Sequence, residues 1–563
     1  MANEHSNGIL AKDLAIVFWD IMVTEIELKY SLLESHDLTT TASVETIIEE
    51  LLTEQNISFT YQEKYLTNCY FDTESLSLRQ QKIALRTRGT KCSGEQTRFE
   101  QTIKTSGKVI AGLHQRPEYN VDIDNSSPAI SLFPESIWQA KTDIVKLQHQ
   151  LIELFSTNFT RHTFLLSFDN AQVELVVDSG EICCKGLNET DKIYEIELEL
   201  VSGGVEKLFS VVKLLFTKLS LRPGQLTKAA RGYALYKKVG EKTLPVHDLK
   251  SSKAKVNTVH GQSELAAGFT SSMITLSKQS QIHEAFEQGL ELTLAKLQRA
   301  IDDYVAKPSL LILKKISEFL AFVRQGLWLF ADNLPPESLK LRAELSYFIR
   351  TIHWVEVADH IQIFLNKQSQ YQKEILVSQA LIAKLQLSQN RYPDESQVLA
   401  LFHSERFNNL QLDLLILLLK SSNESINAGN DGRELLIFAS EKLNTSHIDL
   451  KNQLANLHQP ELYSAKEVYL NTNSLLIRAL LTTSWFNSLF SDVKAVSKYE
   501  TPRLDIKQGI SELHFLNLLE QQLMQLPQPA EKLENWLINK SENLIAALDQ
   551  SCAKALSMKP YWL

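Results

Sequence analysis

The sequence predicts an α+β protein: an N-terminal antiparallel β-barrel with flanking helices, followed by an all-α helical-bundle domain. From about residue 22 to 235, short runs alternate with a period of two and are rich in β-branched or aromatic residues. Beyond residue 265, apolar residues recur at helical spacing over long segments. A chain of 563 residues is also too long for one hydrophobic core. At least two domains are therefore expected.

Eight strand-like runs occur in the first domain, and turn signals such as Asn, Asp, Gly and Ser separate them. In chain order they are EIELKY (25–30), NCYFDT (68–73), IALRTRG (83–89), TRFEQTIKT (97–105), HQRPEYNVDI (114–123), TFLLSFDN (163–170), AQVELVVDSG (171–180) and YEIELELV (194–201). Helices are predicted over 39–55 and 204–220 of the same domain.

Helical periodicity dominates the rest of the chain. The clearest segments are 284–307, 310–334, 337–365, 407–423 and 510–526. Trp328 has apolar neighbours at helical spacing and is expected in the core. The polar stretch from Lys238 to Leu265 has little periodicity and indicates a linker. We therefore predict an N-terminal extension (1–21), a barrel domain (22–240), a linker (241–265) and a helical domain (266–563).

Composition excludes several classes of protein. The net charge of −9 argues against unspecific nucleic-acid binding. Five cysteines without a CxxC pair indicate neither a disulfide framework nor a zinc site, so a reducing, cytoplasmic location is expected. The apolar run from Leu14 to Val23 carries Asp20 and is too short to span a bilayer, and it lacks the basic front of a signal peptide. We expect neither a nucleic-acid nor a membrane partner.

Charged residues share single faces of the predicted strands. In EIELKY, Glu25, Glu27 and Lys29 lie on one face and the apolar residues on the other. Glu195 and Glu199 flank Glu197 in the same way. Three like charges on one buried strand face are very unfavourable unless cations compensate them. This face is therefore either exposed to solvent or opposed by positive charge.

Basic residues alternate in other strands, as do further acidic ones. The basic positions are Arg86, Arg88, Arg98, Lys104 and Arg116; the acidic ones are Glu100, Glu118, Glu174 and Asp178. A sheet with one exposed face explains such alternation simply. A barrel with its outside packed against helices and its inside charged explains it as well. Inside such a barrel, carboxylates would hold hard divalent cations, and arginines would hold phosphates.

Taken in order, the motifs resemble those of the CYTH superfamily, the triphosphate tunnel metalloenzymes. They are EIELK, YFDT, ALRTRG, TIK, HQRPEYN, a lone Arg161, VVDSG, EIELEL and TKAARGY. The resemblance covers Thr24 to about Lys238 and is strongest to bacterial inorganic triphosphatases with a CYTH domain followed by a CHAD helical domain. The helical half resembles that pattern only in its long segments of helical periodicity and in SERFNNLQLDLLILLLK (404–420).

The resemblance implies roles for individual residues. Glu25 and Glu27 would bind an activating Mg²⁺ or Mn²⁺ together with Glu197. Glu195 and Glu199 would extend the acidic patch, and either could orient the attacking water. Lys29 would be a further catalytic residue. The substrate phosphates would contact Lys29, Arg86, Arg88, Lys104, Arg116, Arg161, Lys228 and Arg231. Glu118 and Asp178 would be further polar residues of the tunnel.

The implied activity is metal-dependent hydrolysis of tripolyphosphate to pyrophosphate and phosphate. Hydrolysis of thiamine triphosphate or nucleoside triphosphates and adenylyl cyclisation remain alternatives, because the tunnel recognises only the triphosphate. A non-catalytic polyphosphate-binding protein is an alternative of another class. It would have less need of a metal-holding acidic patch.

The sequence departs from the family pattern at two places. Family members place ExExK close to the initiator, so Met22 is a candidate start and residues 1–21 a misassigned extension. In the helical domain, the segment 310–330 keeps only Lys314, Lys315 and Arg324 as basic residues. This argues against polyphosphate binding by the helical half and favours a scaffold or substrate-guiding role.

Overall fold

The structure is a computed structural model of the chain. It describes residues 23–32, 43–91, 97–110, 112–139, 142–224, 226–243, 274–366, 379–424, 433–457, 462–490, 492–526 and 531–562. Residue contacts divide the chain into two compact units, Met1–Ala254 with His403–Asn408, and Lys255–Phe402 with Asn409–Leu563. The predicted extension at 1–21 lies outside the described residues, as does all of the predicted linker beyond Thr243.

The described residues of the first unit form ten strands, all antiparallel to their neighbours. They are β1 (Val23–Leu32), β2 (Ser58–Asp72), β3 (Ala84–Lys91), β4 (Arg98–Lys104), β5 (Lys108–Ile110), β6 (Leu113–Ile123), β7 (Ile152–Phe168), β8 (Ala171–Cys183), β9 (Asp191–Ser202) and β10 (Leu221–Pro223). Their order in the sheet is β10-β1-β9-β8-β7-β2-β3-β4-β6-β5, and β1 also pairs with β6. That pairing closes eight strands into a barrel, which confirms the predicted fold.

Helices flank the barrel strands in the sequence. They are α1 (Val44–Glu54), α2 (Ser77–Gln80), α3 (Ile144–Gln150), α4 (Val205–Phe216) and α5 (Lys228–Thr243). The two helices predicted in this domain correspond to α1 and α4. The helix α5 was not predicted, although its first turn lies within the TKAARGY motif (227–233).

The apolar residues of the strands pack on the outside of the barrel. On β1, Leu28 and Tyr30 are fully buried, and the Tyr30 ring meets Phe216 of α4 edge-on at 5.4 Å between centroids. On the other side, α5 lies close to β7 because Gly232 has no side chain: a Cβ there would overlap the ring of Phe155. Burial of the apolar face outside leaves the charged face of each strand to line the interior.

The second unit is helical, as predicted. Its helices are α6 (Ile282–Ala306), α7 (Leu310–Leu329), α8 (Ser338–Thr351), α9 (Trp354–Asn366), α10 (Gln379–Gln389), α11 (Glu395–Phe402), α12 (Glu405–Glu424), α13 (Arg433–Ala455), α14 (Leu462–Phe486), α15 (Val493–Leu523) and α16 (Glu531–Ser557). Two apolar clusters form much of its core, one around Leu516 and Leu533 and one around Tyr469 and Ile510.

The expectation for Trp328 was wrong, because its side chain is 45% exposed. Trp485 of α14 is instead a fully buried tryptophan of this unit, and its ring stacks on Phe322 at 4.6 Å. Gly289 and Gly326 leave the space that this indole fills, since a Cβ at either position would overlap it. Helical spacing places Trp328 beside apolar neighbours but does not show which side of α7 the neighbouring helices cover.

None of the described helices combines the length and the apolar character that a membrane span requires.

Candidate functional site

A cavity of about 350 Å³ lies inside the barrel. Its lining is strongly charged and comes from β1, β2, β3, β4, β6, β7, β9 and the start of α5. The predicted site residues that line it are Glu25, Glu27, Lys29, Arg86, Arg88, Lys104, Arg116, Glu118, Arg161, Glu197, Glu199 and Lys228. Asp178, Glu195 and Arg231 are outside this lining. Asp178 and Glu195 contact Lys228 and Lys29 within it, and Arg231 pairs with Glu195.

Strand register brings the two acidic motifs together. Because β1 pairs with β9, Lys29 lies opposite Glu197 and Glu27 lies opposite Glu199. On its other side β1 pairs with β6, which places Glu25 opposite Arg116. Both Glu27 and Lys29 are more than nine-tenths buried. The charged face of EIELKY is therefore interior rather than exposed to solvent.

Some lining residues and the residues directly behind them form a network of ion pairs, here called the paired network: Asp178, Glu195, Glu197, Lys29, Arg161, Lys228 and Arg231. Arg161 donates two hydrogen bonds to Asp178, Nε–Oδ1 at 2.8 Å and Nη2–Oδ2 at 2.7 Å. The same Nη2 donates to Glu197 Oε2 at 2.9 Å, and Lys228 Nζ donates to Asp178 Oδ2 at 2.7 Å. Lys29 forms a close ion pair with the other Glu197 oxygen.

Electrostatics keep the paired network ionised. Burial alone would raise the pKa of Glu197, but Lys228, Lys29 and Arg161 outweigh it and hold that pKa well below its usual range. The pKa of Asp178 is lowered in the same way, because Arg161 and Lys228 outweigh its burial. Oxygens of Asp178, Glu195 and Glu197 lie within 4.8 Å of one another, a spacing that could suit a metal. Four cations already neutralise these three carboxylates, so little negative charge is left for an ion.

A second group, here called the acidic wall, consists of Glu25, Glu27 and Glu199. Two cations of the described residues reach it. Lys104 Nζ donates to Glu25 Oε2 at 2.6 Å and is shared with Glu118 at 2.9 Å, and Lys29 Nζ, which mainly pairs with Glu197, lies 3.9 Å from Glu27 Oε1. Burial raises the pKa of Glu199 to about 7, and the negative charges of Glu174 and Glu27 add to that shift. The pKa of Glu25 is also raised, by burial and by its acidic neighbours. Negative charge is therefore in excess here.

The opposite imbalance occurs at Arg88 and Arg116. Within the described part of the chain, neither guanidinium has a carboxylate within ion-pair distance, and Arg116 Nε is buried without a hydrogen-bond partner. Burial lowers the pKa of Arg88 to about 10, and the nearby charges of Arg86 and Arg161 lower it further. These positive charges are available to an anionic ligand.

Backbone contacts hold Lys29 of β1 in place from both sides. Its N–H donates to the Gly112 carbonyl at 3.0 Å, and its carbonyl accepts from Gly224 N at 2.8 Å. Gly112 has φ of 81°, a conformation that favours glycine. His114 lies beside this turn with its Nε2 3.2 Å from the Gly224 carbonyl, and burial lowers its pKa to about 4. A histidine that is neutral at pH 7 in this position fits a structural role.

The helix α5 adds two cations from outside the sheet. Thr227 caps its first turn, where its Oγ1 accepts from Ala230 N at 3.1 Å. Lys228 and Arg231 are three residues apart and so share one face of the helix. Arg231 pairs with Asp191 at 2.7 Å and with Glu195 at 3.4 Å. The helix thereby directs both side chains to the paired network.

Several lining residues were missed from the predicted site: Asn68, Tyr70, Glu100, Thr102, Asn120, Phe159 and Thr227. Two of them could have been recognised from the sequence, because Asn68 and Tyr70 alternate with Cys69 and Phe71 along β2 and so share one face of the strand. The sequence analysis did note Glu100 among the alternating acidic positions. Uncharged residues were not included in the predicted site, since only charge was used to identify the interior face of each strand.

Residues 24–233 match the family model of the CYTH domain. The match spans the closed barrel and its charged interior and confirms the resemblance of this domain to the CYTH family. An inorganic triphosphatase of Haemophilus influenzae is 33% identical to the chain over 221 residues. The aligned segment covers 38% of this chain and 56% of that relative, so the chain spans about half of the relative's length.

Two solved structures are also similar to the chain. One is a protein from Hippeastrum described as a putative adenylyl cyclase with a dominant triphosphatase activity; it is 18% identical, with a TM-score of 0.25, covering 39% of this chain and 98% of that one. The other is the CHAD domain of Ricinus communis, 18% identical with a TM-score of 0.40, covering 51% of this chain and 96% of that one.

Proposed function

We propose that the protein is a metal-dependent inorganic triphosphatase that hydrolyses tripolyphosphate to pyrophosphate and phosphate inside the barrel. One observation carries this proposal: the same cavity holds cations without carboxylate partners and carboxylates without enough cations. A tripolyphosphate anion with a divalent cation would supply both missing charges. The similarity to an inorganic triphosphatase supports the same substrate class.

In this proposal, the basic residues bind the phosphates. Arg88 and Arg116 lack carboxylate partners among the described residues and would contact the substrate first. The other proposed contacts are Lys29, Arg86, Lys104, Arg161, Lys228 and Arg231. Arginine suits this role because its planar guanidinium donates two parallel hydrogen bonds to a phosphate.

The acidic wall fits Mg²⁺ or Mn²⁺, since its donors are all carboxylate oxygens and its charge is in excess. Glu25 and Glu27 are the predicted ligands, and the structure favours Glu199 as the third. Glu197 was the predicted third ligand, but cations of the paired network contact both of its oxygens. When bound, the ion would supply charge neutralisation at the phosphate and a lower pKa for a coordinated water.

Hydrolysis joins a water oxygen to the terminal phosphorus and breaks its bond to the bridging oxygen, which leaves on pyrophosphate. The water gives up one proton in this reaction. Of the two predicted water-orienting residues, Glu195 contacts Lys29 at 3.4 Å and Arg231 at 3.4 Å and also pairs with Lys228, so its oxygens are largely occupied. We propose Glu199 for that role through the carboxylate oxygen that would not hold the metal, and Lys29 as a cation that stabilises charge on the transferred phosphoryl group.

The test is phosphate release from tripolyphosphate, ATP and thiamine triphosphate, with and without Mg²⁺ or Mn²⁺. We expect metal-dependent turnover of tripolyphosphate and a loss of about 100-fold or more in Glu27→Ala, since a metal supplies several kcal/mol of stabilisation. Glu63→Ala is the matched control, because the Glu63 side chain is 61% exposed on β2.

Other outcomes would identify the alternatives. Preference for ATP or thiamine triphosphate would indicate another triphosphatase, and release of pyrophosphate from ATP with a cyclic product would indicate a cyclase. Binding of polyphosphate without turnover, unchanged in Glu27→Ala, would indicate the non-catalytic class. For the helical unit, a CHAD-like scaffold that does not bind polyphosphate stays a prediction, as does the cytoplasmic location.

A further inference from the structure

An asparagine, Asn68 of β2, holds Arg88 inside the cavity. The two residues are directly opposite in the pairing of β2 with β3. Asn68 Oδ1 accepts a hydrogen bond from Arg88 Nε at 2.8 Å. The side chain of Asn68 is 1% exposed, so this contact is shielded from water. A hydrogen bond to a charged donor in such a place is among the stronger ones in proteins.

The orientation of the Asn68 amide is fixed from its other side. Asn68 Nδ2 donates to the backbone carbonyl of Thr157 at 3.2 Å and to Thr157 Oγ1 at 3.1 Å. A carbonyl oxygen only accepts, so the amide nitrogen must face Thr157. The amide oxygen must then face Arg88. Asn68 of β2 is therefore oriented by Thr157 of β7 on one side and in turn orients Arg88 of β3 on the other.

The neutral partner matters for the charge of the cavity. Arg161 is held by Asp178, a carboxylate that cancels its charge and occupies its Nε and one terminal nitrogen. Arg88 is held by an amide, which orients the guanidinium without cancelling its charge. Because the contact uses Nε, both terminal nitrogens of Arg88 stay available to a ligand in the cavity that Arg88 lines.

We propose that Asn68 is a positioning residue of the phosphate site: it orients Arg88 through Nε and leaves the charge and the terminal nitrogens of Arg88 for the substrate. This inference rests on the proposed function, because it needs a phosphate ligand in the barrel. It assigns Asn68 no contact with the reacting atoms. Its effect on substrate binding is exerted through Arg88.

A double-mutant cycle tests this dependence on Arg88. Tripolyphosphate binding is measured by calorimetry with divalent metal chelated, and kcat/KM is measured with Mg²⁺, for wild type, Asn68→Ala, Arg88→Ala and the double variant. We expect Asn68→Ala to weaken tripolyphosphate binding by about tenfold or more in the protein that retains Arg88. A loss of this size corresponds to one hydrogen bond to a charged group. In the Arg88→Ala background we expect less than about a twofold change.

Asn120 provides a matched control. It also lines the cavity, but its Oδ1 accepts from Thr102 Oγ1 at 2.8 Å rather than from an arginine. Asn120→Ala should therefore change binding by the same factor in both backgrounds. Should Asn68→Ala not fold, Asn68→Ser takes its place, because serine keeps a small polar group near Thr157 but is too short to reach Arg88.

The outcomes separate this inference from the proposed function. Equal losses for the Asn68 variant in both backgrounds, with active wild type, would overturn the positioning role and leave the triphosphatase intact. Tripolyphosphate binding without hydrolysis would overturn the proposed activity. The affinities of the four proteins in the double-mutant cycle would then still test the positioning role of Asn68. Failure of wild type to bind tripolyphosphate would overturn both.

Discussion

Replacement of Asp178 by asparagine removes one negative charge from the paired network. Asp178 is fully buried and accepts two hydrogen bonds from Arg161 and one from Lys228. Loss of one partner of a buried ion pair typically costs about 3–5 kcal/mol, because the remaining charge is left uncompensated. For a unit of about 150–250 residues, this corresponds to a fall in Tm of about 6–20 °C.

Asp191→Asn is the control with matched chemistry. Asp191 also accepts two hydrogen bonds from an arginine, Arg231, at 2.7 and 2.9 Å, but its side chain is 42% exposed. Exposed pairs contribute only about 0.2–1 kcal/mol, so its Tm should fall by a few degrees at most. The comparison isolates burial as the cause of the larger effect.

The assay is scanning calorimetry of the full chain, with hydrogen exchange of β8 peptides used to assign the transition of the barrel unit. Asp178 has a lowered pKa in the folded state, so its stabilisation is present above the unfolded pKa and is lost as pH falls through the folded pKa. The difference between wild type and Asp178→Asn should therefore shrink below about pH 4. Equal Tm values at pH 7 for the Asp178 and Asp191 variants would refute this reasoning.

Three further variants test other features. Burial raises the pKa of Glu500 to about 7, so ionisation of this carboxyl above pH 4.5 costs folding stability. Glu500→Gln should therefore stabilise the helical unit by up to about 3 kcal/mol at pH 8 and by little at pH 5. Denaturant unfolding at both pH values measures this, and a pH-independent effect would contradict it. Gly326→Ala should cost about 1–3 kcal/mol because its Cβ would overlap Trp485, and an unchanged thermal transition would show that the indole can move. Arg116→Ala should weaken tripolyphosphate binding about tenfold or more without lowering Tm, since no described carboxylate pairs with Arg116. A fall in Tm with unchanged affinity would assign Arg116 a structural role.

The sequence alone determined most of the strands and the face of each that is charged. Alternation with period two is a local property, so EIELKY and YEIELEL could be recognised as strands with one acidic face. The short strands β5 and β10 were missed, since three residues carry too little pattern. The helical half was recognised from its periodicity, although the burial of Trp485 was not.

Only the tertiary structure decided which charges meet. Closure through β1 and β6 places Glu25 opposite Arg116, and the pairing of β1 with β9 places Lys29 opposite Glu197. These partners are distant in the chain, and their register depends on how all eight strands close. A shift of one residue would turn each charged face outward. The separation into a paired network, an acidic wall and two arginines with no carboxylate partner among the described residues therefore follows from closure and register, which no local pattern encodes.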